Sequence, residues 1–299
     1  MAPTKGQDST SPPLAIRARG VTKLYGDFPA LQNVQMLDID TPFGKPSAPV
    51  ALGLLSGKRV AFLARHGIGH HISPTEVNFR ANIYALKSLG AQKIVSVSAC
   101  GSLREDYAPG NIVIPDQIFD FTSRRVRSFF GEGMVVHIGT ADPLCKAFSS
   151  QVYEAAINAK GTVHKGGTFI TIEGPRFSTR AESNTYRAWG MSIIGMTACP
   201  EAFLAREAEM CYAVMAHVTD YDVWHVSEEP VSVEMVVRTL MNNTELAQTA
   251  IKILVENFDD TRLCDCDHAL ADAIITQRDR IPIETAQKLD LLVKKYLVR

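Results

Sequence analysis

Strand-like and helix-like segments alternate along the chain from about Lys58 onward, and this alternation limits the fold more than any other feature of the sequence. The segment KRVAFLARHG at 58–67 is typical of a strand that ends in Arg65–His66, and KIVSVSACG at 93–101 is typical of a buried strand. The segment between them has apolar residues at helical spacing and ends at Gly90. Strands that alternate with helices predict a single α/β domain, with a central mixed, mostly parallel twisted sheet flanked by helices.

Helix starts are predicted from capping residues and from amphipathic spacing. The predicted starts are a capping box of Ser73 and Glu76, a cap at Asp142, a capping box of Thr179 and Glu182, and a long helix that begins near Ser232. The polar, proline-containing start predicts a disordered tail over residues 1–13. A single domain is expected over 14–299, and its last part, 256–299, is expected to be a helical extension.

Composition and charge are those of an ordinary globular protein and favour no macromolecular partner. The chain has 299 residues, of which 46% are hydrophobic and 21% charged, as in an ordinary globular protein with a sizeable core. A formal net charge of −1 gives no electrostatic reason to expect nucleic acid or an anionic membrane. Apolar runs such as Ile251–Val255 are too short to cross a bilayer, and the start shows no secretory signal. We therefore expect a cytoplasmic enzyme.

The cysteines give no reason to expect a metal. In a cytosolic protein they are expected to be reduced and packed. The C-x-C pair at Cys264 and Cys266 lacks the second pair of ligands that a structural zinc ion needs, so the sequence predicts no metal site. The six cysteines are Cys100, Cys145, Cys199, Cys211, Cys264 and Cys266.

The ends of the predicted strands carry residues that suit an anion. Ligands of open α/β sheets bind beyond the carboxyl ends of the strands. Arg65 offers a planar cation and His66 an imidazole that can carry a second positive charge. Ser98 and Thr197 add two hydroxyl groups. Each residue alone has an ordinary structural explanation, such as a surface ion pair, but their joint placement favours an anion site.

The other strand ends suit a heterocyclic base. Asp220 and Asp222, in the segment TDYD, can bind basic nitrogens, although D-x-D after a strand is also a common turn. Met196 and Phe177 can supply apolar or stacking faces. An anion site, a pair of acids and an apolar patch together predict a site for a nucleoside and phosphate.

Ordered segments from about Asp40 to about Leu254 resemble the 5′-methylthioadenosine phosphorylases, in the trimeric branch of the purine nucleoside phosphorylase superfamily. These segments include LARHG, SACGSLRED, EGPRFSTRAES, GMTACPEAFLAREAEMCYA and TDYDVWH. The resemblance implies a pentosyltransferase of purine and methionine salvage that is a homotrimer or a dimer of trimers. Inorganic phosphate would be a co-substrate, with no cofactor. The segment CDCDHAL is similar to a tail of prokaryotic members, some of which oxidise such cysteine pairs.

The resemblance also implies a role for each matching residue. Phosphate would be bound by Thr22, Arg65, His66, Ser98, the backbone of Ala99, and Thr197. Ribose would lie near Met196, and adenine would be held by Asp220 and Asp222 beside Phe177 and Ser178. The methylthio group would contact Val233, Val236 and His70, and a neighbouring subunit would add His137. Glu173 and its turn would form the wall between base and ribose.

The implied chemistry is attack of phosphate on the anomeric carbon while the bond to adenine N9 breaks. Arg65, His66, Asp220 and Asp222 would be catalytic, and a protonated Asp220 would donate to purine N7. A carboxyl group can do so near neutral pH only if burial or a neighbouring carboxylate raises its pKa. Because members that act on 6-oxopurines tend to have an asparagine at this strand end, two aspartates favour a 6-aminopurine.

One segment departs from the family pattern. A glycine-rich phosphate loop is expected near the start, but ARGVTKLYG keeps only Gly20 and Thr22, with Val21 and Lys23 in place of glycines. This change predicts weak phosphate binding with normal nucleoside binding. It leaves three alternatives open: a nucleosidase, another purine nucleoside phosphorylase, or a non-catalytic nucleoside-binding trimer. The sequence also leaves open adenosine against methylthioadenosine, trimer against hexamer, and the redox state of the C-x-C pair.

Overall fold

Two sheets form the framework of the protein in a computed structural model, which describes residues 31–225, 233–261 and 263–297. The smaller sheet is antiparallel and contains β1 (Leu31–Leu37), β2 (Val50–Leu55) and β3 (Lys58–Phe62). The larger sheet has seven strands: β4 (Lys93–Ser102), β5 (Ile112–Ile114), β6 (Gln117–Phe121), β7 (Val163–Lys165), β8 (Thr168–Ile172), β9 (Ile193–Gly195) and β10 (Cys211–Asp220). The predicted tail and the altered loop at 20–23 lie outside the described residues.

The larger sheet is mixed and mostly parallel, as predicted. Its strand order is β6-β8-β9-β4-β10-β5-β7. The pairs β6–β8, β8–β9, β4–β10 and β5–β7 are parallel, and β4–β9 and β5–β10 are antiparallel. Every residue of β10 is buried, as expected for a strand with helices on both faces. The separate three-stranded sheet was not predicted.

Helices flank this sheet, which confirms the α/β prediction. They are α1 (Phe79–Ser88), α2 (Lys146–Asn158), α3 (Arg180–Ala188), α4 (Glu201–Glu207), α5 (Val233–Glu256), α6 (Ile283–Lys288) and α7 (Asp290–Leu297). Alternate residues of β10 divide between two cores. Tyr212 and Val214 pack with α1 and α4, whereas Ala213 and Met215 pack with α2 and α5. No helix within the described ranges is long and apolar enough to cross a membrane.

Two of the predicted helix starts are confirmed and two are wrong. Thr179 and Glu182 form the predicted capping box of α3, and α5 begins next to Ser232. Ser73 and Glu76 do bond to each other, but they close only a turn. The helix begins at Phe79 instead, because Asn78 caps it by accepting from the Ala81 amide at 3.2 Å.

The third helix, α2, begins after Cys145 and not at Asp142. The Cys145 amide donates to the Tyr212 carbonyl at 3.0 Å, which ties this part of the chain to β10 in an extended conformation. Asp142 instead forms an ion pair with Lys146 at 3.1 Å. A long-range backbone bond has therefore moved the helix start away from the local capping signal.

Candidate active site

One cavity runs along β3 and β4 and reaches the carboxyl ends of β4, β9 and β10. Parallel pairing of β4 with β10 aligns Ala216 with Ser98 and His217 with Ala99, so both strands end at the same edge of the sheet. The cavity brings together most of the residues predicted from the sequence. It is lined by Arg65, His66, His70, Ser98, Ala99, Phe177, Ser178, Met196, Thr197, Asp220 and Asp222.

Arg65 is at the centre of the part of the cavity where the sequence predicts an anion site. Its Nε donates to Glu201 Oε2 at 2.7 Å and its Nη2 to Glu201 Oε1 at 3.0 Å, which fixes the plane of the guanidinium. Its Nη1 donates to Thr197 Oγ1 at 3.0 Å and is 3.5 Å from Ser98 Oγ. Arg65 therefore holds both predicted hydroxyls in one place.

The direction of these bonds prepares the hydroxyl groups to bind an anion. An arginine can only donate, so Thr197 Oγ1 accepts from Arg65 and keeps its own proton available to another acceptor. Ser98 Oγ lies 3.1 Å from Ser96 Oγ, which itself accepts from Arg65. A guanidinium with hydroxyl donors around it is suited to a tetrahedral oxyanion.

Glu201 and Tyr212 were missed by the sequence analysis. Glu201 is 5% exposed at the start of α4, and the Tyr212 hydroxyl donates to its Oε1 at 2.7 Å. Burial of Arg65 next to this carboxylate avoids an unpaired buried charge, which would be costly. The sequence offers no signal for this pair, since Glu201 is far from Arg65 along the chain.

His66 does not supply the second positive charge that the sequence suggested. Burial is the largest effect, and together with the nearby Arg65 charge it lowers the pKa of His66 to about 4. The imidazole is therefore neutral at pH 7. Its Nδ1 donates to the Ile72 carbonyl at 2.9 Å, which leaves Nε2 of the neutral ring as an acceptor. The ring stacks on His70 with centroids 4.3 Å apart.

Asp220 is a buried acid at the end of β10. Its Oδ1 accepts from the Asp222 amide at 2.7 Å and its Oδ2 from the Thr219 hydroxyl at 2.6 Å. Burial outweighs these two bonds and raises the pKa of Asp220 to about 6, and the charge of Asp222 acts in the same direction. A carboxyl group with this pKa is partly protonated near neutral pH, as a proton donor must be.

Asp222 is held beside Asp220 by an unusual backbone. It has a positive φ of 51°, which aspartate tolerates better than most residues. Burial also raises the pKa of Asp222, although the nearby Ser183 and Ser178 hydroxyls oppose the shift. Within the described part of the chain, Asp222 Oδ2 has no hydrogen-bond partner of ordinary geometry. This oxygen is therefore available to accept from a ligand.

Gly101 allows the two carboxyl groups to come this close to β4. A Cβ atom at Gly101 would lie 2.9 Å from Asp220 Oδ1 and 3.3 Å from Asp222 Cβ. Contacts this short would push the acids away from the strand. Steric exclusion therefore explains why position 101, in the segment SACGSLRED, is a glycine, which the sequence alone did not reveal.

Glu173 supports the loop that borders the cavity and does not line the cavity itself. Burial alone would raise its pKa, but donors from the Ser123 amide, Thr75, the Arg124 amide and Arg125 lower the pKa of Glu173 to about 2. Its role is to fix the start of the turn. Phe177, four residues later and 38% exposed, forms the cavity wall.

Four predicted site residues are not placed in the cavity. Thr22 lies outside the described residues, as do the side chains of Val233 and Val236 in the first turn of α5. His137 is exposed and does not line the cavity, and its amide donates to the Ala273 carbonyl at 2.9 Å. These residues stay predictions.

Comparison with known proteins gives one consistent family. The model of the phosphorylase superfamily matches residues 22–257. An S-methyl-5′-thioadenosine phosphorylase of Geobacter sulfurreducens is 51% identical over 93% of this chain and 97% of its own. The enzyme of the same name from Koribacter versatilis is 50% identical over 93% of this chain and 94% of its own. A crystal structure of methylthioadenosine phosphorylase from an Antarctic soil metagenomic library superposes with a TM-score of 0.84 at 47% identity, covering 88% of this chain and 93% of that one.

The Thr197 hydroxyl should contribute directly to anion binding. Thr197→Val keeps the shape of the side chain and removes the donor, so we expect phosphate to bind roughly ten- to a hundredfold more weakly, as for loss of a bond to a charged group. Titration calorimetry with inorganic phosphate measures this change. Thr171→Val is the matched control, because Thr171 is a fully buried strand threonine outside the cavity. Equal phosphate affinity of wild type and Thr197→Val would contradict the assignment.

Proposed function

Because the chain belongs to the phosphorylase superfamily, we propose that it catalyses phosphorolysis of 5′-methylthioadenosine to adenine and 5-methylthioribose 1-phosphate. Relatives that are about half identical over nearly the whole chain are named for this enzyme. The observation that carries the proposal is the placement of an anion site around Arg65 and a buried acid pair, Asp220 and Asp222, in one cavity. Phosphate is a co-substrate, and the mechanism needs no further cofactor.

Phosphate acts both as nucleophile and as a charge that stabilises the transition state. It is held by the guanidinium of Arg65, the hydroxyls of Ser98 and Thr197, and the backbone of Ala99. Neutral His66 can accept a hydrogen bond from a protonated phosphate oxygen. As the glycosidic bond lengthens, positive charge develops on the ribosyl group, and the adjacent phosphate lowers the energy of that charge. Glu201 holds the guanidinium of Arg65 and so fixes the orientation of the bound phosphate, which makes Glu201 a positioning residue.

Asp220 assists departure of adenine. In its protonated form it donates to purine N7, so that the base leaves as a neutral molecule. A positioned acid of this kind typically contributes on the order of 10²–10⁴ in rate. Burial, which raises the pKa of Asp220 to about 6, is what makes the proton available.

Asp222 selects the base. Its buried Oδ2 accepts from the exocyclic amine of adenine, whereas a 6-oxopurine would place a carbonyl oxygen against the carboxylate. Ser178 lies beside it, and Phe177 stacks along the purine. The methylthio group is assigned to the predicted pocket of Val233, Val236 and His70.

A nucleosidase and a non-catalytic binding protein are the competing functions. Neither of these functions requires a phosphate site. The bidentate support of Arg65 by Glu201 and the two hydroxyls around it favour a phosphorylase, because this network is costly to bury without a function.

Release of adenine should depend on phosphate and on Asp220. With methylthioadenosine as substrate, we expect adenine only when phosphate is present, and Asp220→Asn should lower kcat by roughly a hundredfold or more because an amide cannot donate a proton to N7. The wild-type kcat/KM should fall as the pH rises above about 6, since the protonated acid is the active form. Chromatographic detection of adenine measures all three. Equal release without phosphate would identify a nucleosidase, and an unchanged kcat in Asp220→Asn would contradict the proton-donor role.

Asp222→Asn should shift the preference for the base. An amide can donate to the O6 atom of a 6-oxopurine, and its neutral oxygen accepts from the adenine amine less strongly than a carboxylate does, a difference of about 1 kcal/mol. We expect the ratio of kcat/KM for inosine over adenosine to rise at least tenfold. Asp106→Asn, at an exposed aspartate paired with Arg104, is the control and should leave the ratio unchanged. No shift in Asp222→Asn would show that Asp222 does not contact the exocyclic position.

We also propose that the protein is a homotrimer. An aromatic face lies along the edge strand β6 and the end of α3, where Phe119, Phe121 and Trp189 are all more than one-third exposed and contact one another. Exposed aromatic groups next to an edge strand favour association with another chain. The exposed His137 is available to a neighbouring cavity in such an assembly.

Phe121→Lys should break this association. A lysine on the aromatic face would have to be desolvated in the interface, so sedimentation should show a shift from trimer towards monomer. Ile283→Lys is the control, because Ile283 is 75% exposed on α6 and outside the aromatic face. A monomeric wild type, or a trimer that Phe121→Lys leaves intact, would contradict this interface.

A further inference from the structure

Four cysteines from three parts of the chain meet at the amino end of β10, the end opposite to Asp220. Cys145 precedes α2, Cys211 is the first residue of β10, and Cys264 and Cys266 belong to the C-terminal extension. Their sulfur atoms all lie within 4.8 Å of one another. The sequence analysis expected no metal because the C-x-C pair lacked a second pair of ligands. That premise is wrong, since Cys145 and Cys211 supply the second pair.

The spacing of the sulfur atoms suits four ligands around one ion. Zinc binds thiolates tetrahedrally at about 2.3 Å, which places the sulfurs about 3.8 Å apart. Cys211 Sγ and Cys264 Sγ are 3.5 Å apart, and every other pair is within 4.8 Å. A disulfide requires about 2.05 Å, and all four cysteines are free thiols.

Positive charge next to the cluster fits thiolates. Arg206 Nη1 donates to Cys266 Sγ at 3.4 Å, from a side chain that is 18% exposed. Its carboxylate partner, Asp265, is 3.6 Å away and 83% exposed, so it compensates the arginine weakly. Arg206 Nε has no hydrogen-bond partner among the described residues. Cys145 adds the N-terminal end of the 13-residue α2, which favours negative charge.

We propose that Cys145, Cys211, Cys264 and Cys266 form a structural Zn²⁺ site. Four protein sulfurs leave no open coordination position, as in structural and not catalytic zinc sites. Arg206 acts as an outer partner that offsets the net negative charge of four thiolates around one divalent ion. Cys211 of the cluster is the first residue of β10 and Asp220 is the last. At the rise of an extended strand, these two residues are about 30 Å apart.

The site would attach the C-terminal extension to the sheet. Beyond the C-x-C pair, Leu270, Leu289 and Val293 are fully or almost fully buried in the core that contains α1 and α4. A metal that joins Cys264 and Cys266 to α2 and β10 holds the extension where these side chains can pack. Its contribution is therefore to stability and not to the chemical step.

Metal analysis of the full-length protein, purified under reducing conditions without added chelator, tests the proposal. We expect elemental mass spectrometry to find about one zinc ion per chain. Cys264→Ser and Cys145→Ser should each lose the zinc and lower the melting temperature. Cys199→Ala is the matched control, because Cys199 is a buried cysteine outside the cluster and its variant should keep the metal.

A second measurement keeps the proposal testable if the serine variants fail to fold. Wild-type protein freed of metal and given Co²⁺ should show the visible absorption of tetrahedral thiolate coordination, which Zn²⁺ then displaces. Reduced wild-type protein that binds neither ion, or disulfides mapped between these cysteines with no zinc in the protein as purified, would overturn the assignment. Neither result would contradict the proposed phosphate-dependent release of adenine, which is measured separately.

Discussion

The parallel pairing of β4 with β10 is the constraint on which the candidate site depends. It fixes the register so that Ser98–Gly101 and Asp220 end at one edge of the sheet. Backbone pairing therefore places Ser98 and Asp220 directly, which allows close control of their positions. Arg65, Thr197 and Asp222 lie in the segments that follow β3, β9 and β10. Gly101 completes this arrangement, because any larger residue would occupy the space that Asp220 uses.

Burial at this edge has three different electrical consequences. It raises the pKa of Asp220 to about 6, so that the carboxyl group is partly protonated near neutral pH. It lowers the pKa of His66 to about 4, so that the imidazole is neutral. It also requires a partner for Arg65, which Glu201 provides. Burial thus gives one cavity a carboxyl group with a raised pKa, a neutral imidazole and a cation paired with a carboxylate.

The sequence could predict what local patterns determine. Neighbouring residues determine the strand ends, the TDYD segment and the capping box of Thr179. The order of the elements then predicts the mixed sheet. Glu201 could not be found, because its partner Arg65 is remote along the chain and buried ion pairs leave no local pattern. The same reason explains the wrong start of α2, where a backbone bond from Cys145 to Tyr212 outweighs the capping signal at Asp142. Long-range contacts decide these features.

The two ends of β10 divide stability from chemistry. The carboxyl end carries Asp220 and needs a carboxyl group whose pKa is raised, which costs stability once the acid is ionised in the folded state. The amino end carries Cys211, where chain segments from α2 and the C-terminal extension converge. A strand that is buried along its whole length transmits little flexibility between these ends. Attachment at the amino end can therefore offset the cost of buried polar groups at the carboxyl end without a direct contact with Asp220.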